Sequence, residues 1–81
     1  MKAVVEEIEV KGKKIQKGTN IVLNFEKRDD WGDMHLTVTN MYIDGQKDEF
    51  DETIIWVECI TNFGHTSTYA YSQIESALKT K

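Results

Sequence analysis

Apolar and polar positions alternate along most of this chain, and the alternation predicts a small β protein. Residues 19–27 alternate with a period of two, which predicts a strand with one face inward. Residues 34–44 also alternate, but the apolar parity switches at Thr39–Asn40. A switch of this kind predicts a β-bulge or a sharp bend within a second long strand.

The longest apolar run lies in residues 53–62, where both parities are apolar. A strand with this pattern is usually central in a sheet or covered on both faces. The Asn-Phe-Gly sequence at 62–64 predicts a three-residue hairpin loop, and a return strand is expected over 65–71. The Ser-Gln-Ile-Glu sequence at 72–75 predicts a capping box that starts a short helix over 72–78.

Three other segments carry weaker patterns. Residues 3–10 alternate imperfectly, and their valines favour a strand, with a short helix as the alternative. Residues 11–17 hold four lysines and predict a solvated loop. Residues 44–52 begin with an Asp-Gly turn signal and place five carboxylates around Phe50, so they predict an acidic loop.

Length and composition narrow the class of protein. A chain of 81 residues predicts one domain, with an N-terminal strand and basic loop over 1–17 and a core with its closing helix over 18–78. The net charge of −4 argues against general affinity for nucleic-acid backbones or anionic membranes. Because Cys59 is the only cysteine and no signal peptide or membrane-length apolar stretch is visible, we expect a cytoplasmic protein.

The order of these segments resembles that of small SH3-like or Sm-like β-barrels of the kind found in phage and prophage proteins. The resemblance is carried by residues 18–23 (Gly-Thr-Asn-Ile-Val-Leu), by the bent strand 34–44 and by residues 69–74 (Tyr-Ala-Tyr-Ser-Gln-Ile). It implies a mainly β fold, a five- to six-stranded antiparallel and partly open barrel with a short C-terminal helix. It implies no function, because it rests on hydrophobic rhythm and not on a functional motif.

The chain offers little catalytic chemistry. His35, His65, Cys59 and Asp33 are the candidate metal ligands, but they lack the spacing of a metal site. We expect both histidines to be exposed strand residues and Cys59 to be a small core residue. A Cys59–His65 nucleophile pair is disfavoured, since the hairpin turn places residue 61 or 62 opposite His65. We therefore predict no enzyme, no catalytic or metal-binding residue and no cofactor.

The two hydrophilic tips, 28–33 and 44–52, are the predicted working surface, because each presents one large aromatic residue among carboxylates. We expect a non-enzymatic protein-interaction module, a regulator or inhibitor from a bacterium or its phage, that docks on an unidentified protein partner. The alternative is that Trp31 folds back to cap one end of the core and that Phe50 packs under its own loop. The predicted contact residues are Asp29, Asp30, Trp31, Asp33, Asp48, Glu49 and Phe50.

The sequence allows two alternative functions. One is a nucleic-acid-binding barrel that uses the basic segment, although the acidic loops would oppose docking and the aromatic residues lie elsewhere. The other is a structural subunit of a homo-oligomer, because open sheet edges without proline allow strand-to-strand assembly. No membrane partner is expected. The predicted nucleic-acid contacts are Lys11, Lys13, Lys14 and Lys17.

Overall fold

The structure, a computed structural model, describes residues 2–26 and 32–79. Within these residues the protein is mainly β, its strands pair antiparallel, and a short helix follows the last strand, as predicted. The elements are β1 (Ala3–Val4), β2 (Glu7–Val10), β3 (Lys13–Gln16), β4 (Asn20–Leu23), β5 (Met34–Ile43), β6 (Trp56–Thr61), β7 (Thr66–Ala70) and α1 (Tyr71–Ala77).

The long strand β5 is the centre of a five-stranded sheet. One side of β5 pairs with β6, while the other side pairs with β4 along its first half and with β1 at its end. The register between β5 and β6 shifts between Val38 and Asn40, which confirms the bulge predicted at Thr39–Asn40. The bulge bends the strand, so one side of β5 can serve two different neighbours.

The N-terminal hairpin, β2 and β3, forms a second, two-stranded sheet. Lys11 and Gly12 turn the chain with φ of 52° and 79°, the left-handed conformations that a two-residue hairpin loop requires. The prediction of a solvated loop over 11–17 is therefore wrong, because Ile15 pairs with Ile8 and is fully buried. A single apolar residue among lysines gives no alternation from which a strand could be predicted.

The N-terminal segment confirms the strand interpretation of residues 3–10 over the helical alternative, but it forms two short strands instead of one. With β3 added, the described residues form seven strands, more than the five to six predicted. Residues 19–27 form a shorter strand than predicted, since β4 ends at Leu23. Phe25 follows in a turn, 42% exposed, with its ring centroid 5.3 Å from that of Tyr69.

One apolar cluster joins the N-terminal hairpin to the larger sheet and the helix. Its members are buried side chains that point inward from β2 to β6 and from the C-terminal end of the chain. Burial of this apolar surface is the main favourable term in folding. The buried apolar residues are Ile8, Val10, Ile15, Ile21, Leu23, Leu36, Val38, Met41, Val57, Cys59, Ile74, Ala77 and Leu78.

Strand β6 lies between β5 and β7, which confirms the central position predicted from its two apolar parities. Val57 and Cys59 are buried on the inner face, whereas the outer face is partly exposed. The strand begins at Trp56, three residues later than predicted. The hairpin loop over 62–64 is confirmed, with Gly64 at a φ of 88° and a hydrogen bond of 2.8 Å from the Thr61 N–H to the His65 carbonyl.

The helix α1 begins at Tyr71, one residue earlier than predicted, and the predicted capping box of Ser72 and Glu75 is wrong. Gln73 instead accepts a 2.9 Å hydrogen bond from the N–H of Ala70, the residue that precedes the helix. The N–H of Tyr71, the first residue of the helix, donates a 2.8 Å hydrogen bond to the carbonyl of Ile55. Ile74 lies on the inner side of the helix and is fully buried.

The chain returns to β4 after the helix. Leu78 pairs with Leu23, and the N–H of Lys79 donates a 2.9 Å hydrogen bond to the carbonyl of Val22. The N–H of Asn24 donates in turn to the carbonyl of Ala77, at 2.8 Å. The edge of β4 that faces away from β5 is therefore covered by the C-terminal segment.

Candidate functional site

The acidic segment between β5 and β6 forms an ordered loop, which we call the Phe50 loop and define as residues 44–55. At its base Lys47 pairs with Thr53, and the N–H of Ile54 donates a 2.9 Å hydrogen bond to the carbonyl of Gln46. An exposed ion pair joins Lys47 to Asp51 at 3.5 Å. The loop thus projects from the sheet as a small hairpin of its own.

Asp48 organises the tip of the Phe50 loop. Its Oδ1 atom accepts hydrogen bonds from the N–H groups of Phe50, at 2.9 Å, and Glu52, at 3.0 Å. Its own N–H donates to the carbonyl of Glu52 at 2.9 Å, and Asp51 closes the turn with a φ of 62°. A side chain that satisfies neighbouring backbone groups fixes a turn. Asp48, which was predicted as a contact residue, therefore positions Phe50.

Phe50 is presented to solvent by this turn. Its side chain is 76% exposed, so the ring does not pack beneath its own loop. Glu49, the neighbouring predicted contact residue, is exposed as well. The loop therefore combines one large exposed aromatic ring with several carboxylates on a turn whose backbone is internally bonded.

A groove of about 500 Å³ lies between the Phe50 loop and the start of α1. The half-buried residues that line it are apolar, whereas the exposed ones are polar or acidic. Three of the lining side chains are carboxylates, and none of those that the structure describes there is basic. The lining residues are Asp48, Glu52, Thr53, Ile54, Ile55, Ala70, Tyr71, Ser72 and Glu75.

Tyr71 holds the two walls of the groove together. Its N–H donates a 2.8 Å hydrogen bond to the carbonyl of Ile55, which joins the helix to the Phe50 loop. Its phenol donates a 2.8 Å hydrogen bond to the carbonyl of Glu9 in the N-terminal hairpin. The groove was missed from the sequence because its walls come from segments far apart in the chain and share no local motif.

Asp33, another predicted contact residue, lies apart from the Phe50 loop. Lys79 Nζ contacts both of its carboxylate oxygens, at 2.9 and 3.1 Å, and Asn24 Nδ2 donates to Oδ1 at 3.0 Å. The hydrogen bond from Lys79, followed by that from Asn24, holds the pKa of Asp33 below its ordinary value, against partial desolvation. Its side chain is 11% exposed and ties the C-terminal segment to β5. The other predicted residues of this tip, Asp29, Asp30 and Trp31, lie outside the described residues.

The lysines of the alternative nucleic-acid surface lie on the N-terminal hairpin. Lys11, Lys13, Lys14 and Lys17 are all exposed. Lys14 pairs directly across from Glu9, and Glu7 pairs with Gln16. Lys11 Nζ also donates to the carbonyl of Leu78 at 3.3 Å. The basic segment therefore shares its hairpin with two carboxylates.

The candidate nucleophile and metal ligands are not gathered at one point. Cys59 is fully buried, burial raises the pKa of its thiol to about 11, and it pairs with Ser67 across the hairpin. His35 and His65 are exposed, as predicted, but only His35 is a strand residue, because β7 begins after His65. Among residues 2–26 and 32–79, no three His, Cys, Asp or Glu side chains are arranged to hold a metal ion.

A second exposed aromatic ring was missed from the sequence. Phe63, interpreted only as a turn residue, is 83% exposed at the tip of the β6–β7 hairpin. It follows Asn62, which lines a smaller groove of about 290 Å³ beside β4 and β5. Phe63 matches Phe50 in residue type and exposure, but it is not flanked by carboxylates.

Comparison with known proteins finds no match of this chain to a family model, a curated protein or a solved structure. Within the part of the chain that the structure describes, no helix has the length and apolar character needed to span a bilayer.

Proposed function

We propose that this protein is a non-enzymatic protein-interaction module that docks on a basic protein surface through the Phe50 loop. The observation that carries the proposal is the 76% exposure of Phe50 on a turn fixed by Asp48. Aromatic residues, Phe among them, are enriched at the cores of protein interfaces, where a few anchors carry most of the binding energy. An already ordered loop loses less conformational freedom on binding than a disordered one.

The surrounding charge supports a basic partner. Asp48, Glu49, Asp51 and Glu52 flank Phe50, and the chain as a whole carries a net charge of −4. Complementary charge increases the association rate and excludes partners of the wrong sign. A regulator or inhibitor that covers a basic surface on its target is the role that we propose for such a module.

The charge arrangement favours a protein partner over nucleic acid. The lysines of the N-terminal hairpin lie beside Glu7 and Glu9 on the paired strand, and these carboxylates offset the positive charge from which affinity for a phosphate backbone comes. Salt-dependent retention on a single-stranded DNA column that is lost when Lys13 and Lys14 are replaced by alanine would favour the nucleic-acid alternative instead.

For the fold, we propose a partly open barrel of the SH3-like or Sm-like kind. The pairings of β4 with β5, β5 with β6 and β6 with β7 support it. After α1, the pairing of Leu78 with Leu23 brings the C-terminal segment back to β4. The bent strand β5 is the element that would let one sheet curve onto itself.

The test is affinity capture from a lysate of the producing cells, with immobilised wild-type protein and the Phe50→Ala and Phe63→Ala variants. We expect a basic protein to be retained by the wild type and by Phe63→Ala. Its recovery should fall at least about tenfold with Phe50→Ala, because an aromatic anchor contributes roughly 2 kcal/mol or more. Equal recovery with Phe50→Ala and wild type would overturn the proposal.

A further inference from the structure

The groove beside the Phe50 loop has an apolar floor and an acidic rim. Ile54, Ile55 and Tyr71 are half-buried in it, whereas Glu52 and Glu75 are exposed at its edges. Long basic side chains have the complementary construction, since an aliphatic stem carries the charged group at its end. Their stems can cover apolar surface while the cation remains near solvent.

The charges around the groove determine which kind of chemical group can bind in it. An anionic group would face the three carboxylates of Asp48, Glu52 and Glu75. An uncharged apolar group would displace water from those carboxylates and provide no partner for them, which is unfavourable. A long basic side chain suits both parts of the groove, because its stem covers the apolar floor and its charged end faces the carboxylates of the rim. The volume of about 500 Å³ lies in the range of sites that bind small groups.

The lining of the groove is fixed by hydrogen bonds from backbone N–H groups. The N–H of Tyr71 donates to the carbonyl of Ile55 at 2.8 Å, and the N–H of Glu52 donates to Oδ1 of Asp48 at 3.0 Å. Little ordering is therefore needed when an occupant enters.

We propose that this groove receives an arginine or lysine side chain of the protein partner. The inference rests on the proposed function, because the groove and Phe50 belong to the same loop and would contact one partner surface together. The groove would select the partner through a basic residue, while Phe50 supplies the apolar anchor.

The test is an NMR titration of the full ¹⁵N-labelled chain with a blocked Gly-Arg-Gly peptide. We expect saturable shifts of the backbone amides of residues 52–55 and 70–75. The same peptide with citrulline, which keeps the shape of arginine without its charge, should give no saturable shift. Glu52→Gln and Glu75→Gln should each raise the Kd about threefold to fivefold, as expected for an exposed ion pair.

Glu6→Gln is the matched control, because Glu6 is exposed and lies outside both the groove lining and the Phe50 loop. It should leave the Kd within about twofold of the wild type. The spectrum of each variant also shows whether the protein remains folded. Absence of saturation with the arginine peptide, equal binding of the citrulline peptide, or an equal effect of Glu6→Gln would overturn the inference.

The capture experiment separates this inference from the proposed function. Capture that depends on Phe50 but is unchanged in the Glu52→Gln/Glu75→Gln double variant would overturn the role of the groove and leave the interaction module intact. Capture that does not depend on Phe50 would overturn the module, and with it the partner-binding role of the groove, whatever the peptide titration shows.

Discussion

Tyr71 and Glu9 are joined by a 2.8 Å hydrogen bond, from the phenol of one to the main-chain carbonyl of the other, across 62 residues of sequence. Because the N–H of Tyr71 also bonds to Ile55, this one residue connects the N-terminal hairpin, the Phe50 loop and the start of α1. The geometry of the candidate site therefore depends on the first residue of the helix, which the sequence pattern assigned to the end of the preceding strand.

Tyr71→Phe keeps the ring and removes the hydrogen bond to Glu9. We expect the free energy of unfolding, measured by urea denaturation, to fall by about 1 kcal/mol. Tyr42→Phe is the control, because no hydrogen bond of the Tyr42 hydroxyl occurs among the described residues, and its effect should be smaller. Equal stability of wild type and Tyr71→Phe would show that the bond to Glu9 contributes nothing.

Asp33 should make stability depend on pH in the acidic range. Its pKa is lowered in the folded protein by Lys79, so the unfolded chain binds more protons than the folded one as the pH falls. The stabilisation is therefore complete above about pH 4, the pKa of an unperturbed aspartate, and is lost as the pH falls through the folded pKa.

The measurement is the urea midpoint from about pH 7 to about pH 3. Asp33→Asn should lower the midpoint at neutral pH and flatten its fall toward acid. Asp51→Asn removes an exposed carboxylate, and asparagine tolerates the left-handed backbone there. The urea midpoint of this control variant should fall with pH in parallel with that of the wild type. A curve for Asp33→Asn that parallels the wild type would contradict the prediction.

Ile15 should be a core residue despite its basic surroundings. It is fully buried in β3, so Ile15→Ala is expected to lower the free energy of unfolding by about 2–5 kcal/mol. The neighbouring Lys14→Ala removes an exposed side chain and should change it by no more than about 0.5 kcal/mol. Chemical denaturation of both variants measures these free energies. If residues 13–16 formed a solvated loop instead of β3, both substitutions would change the free energy of unfolding only slightly.

Cys59 should react with alkylating reagents only when the protein opens. With its pKa raised to about 11, the buried thiol is almost entirely protonated at about pH 8, whereas an unfolded cysteine has a pKa near 8.5. We expect iodoacetamide to label the folded protein at least about a hundredfold more slowly than the protein in concentrated urea. Rapid labelling with an unchanged circular dichroism spectrum would show that Cys59 is accessible in the folded state.

Local patterns in the sequence predicted the elements that local interactions determine. The parity switch at Thr39–Asn40 marked the bulge, and the Asn-Phe-Gly turn marked the β6–β7 hairpin. In both cases the signal and the structure lie within a few residues of each other.

Long-range contacts left no comparable signal. The burial of Ile15 depends on its pairing with Ile8. The position of Asp33 depends on Lys79, which lies 46 residues later in the chain. The exposure of Phe50 was one of two alternatives that the sequence left open, since it depends on how Asp48 folds the turn. The groove depends on where Tyr71 is held, which is a property of the folded chain as a whole.

The return of Leu78 to Leu23 has a consequence for biosynthesis. Ribosomes add roughly 5–20 residues per second, so several seconds pass between the synthesis of Leu23 in β4 and that of Leu78, which pairs with it. During that interval the nascent chain carries an unpaired strand edge and incompletely covered apolar residues, which favour association with other chains. Leu78 and Lys79 cover this strand edge when they pair with β4. Folding is therefore completed only after these two residues are made.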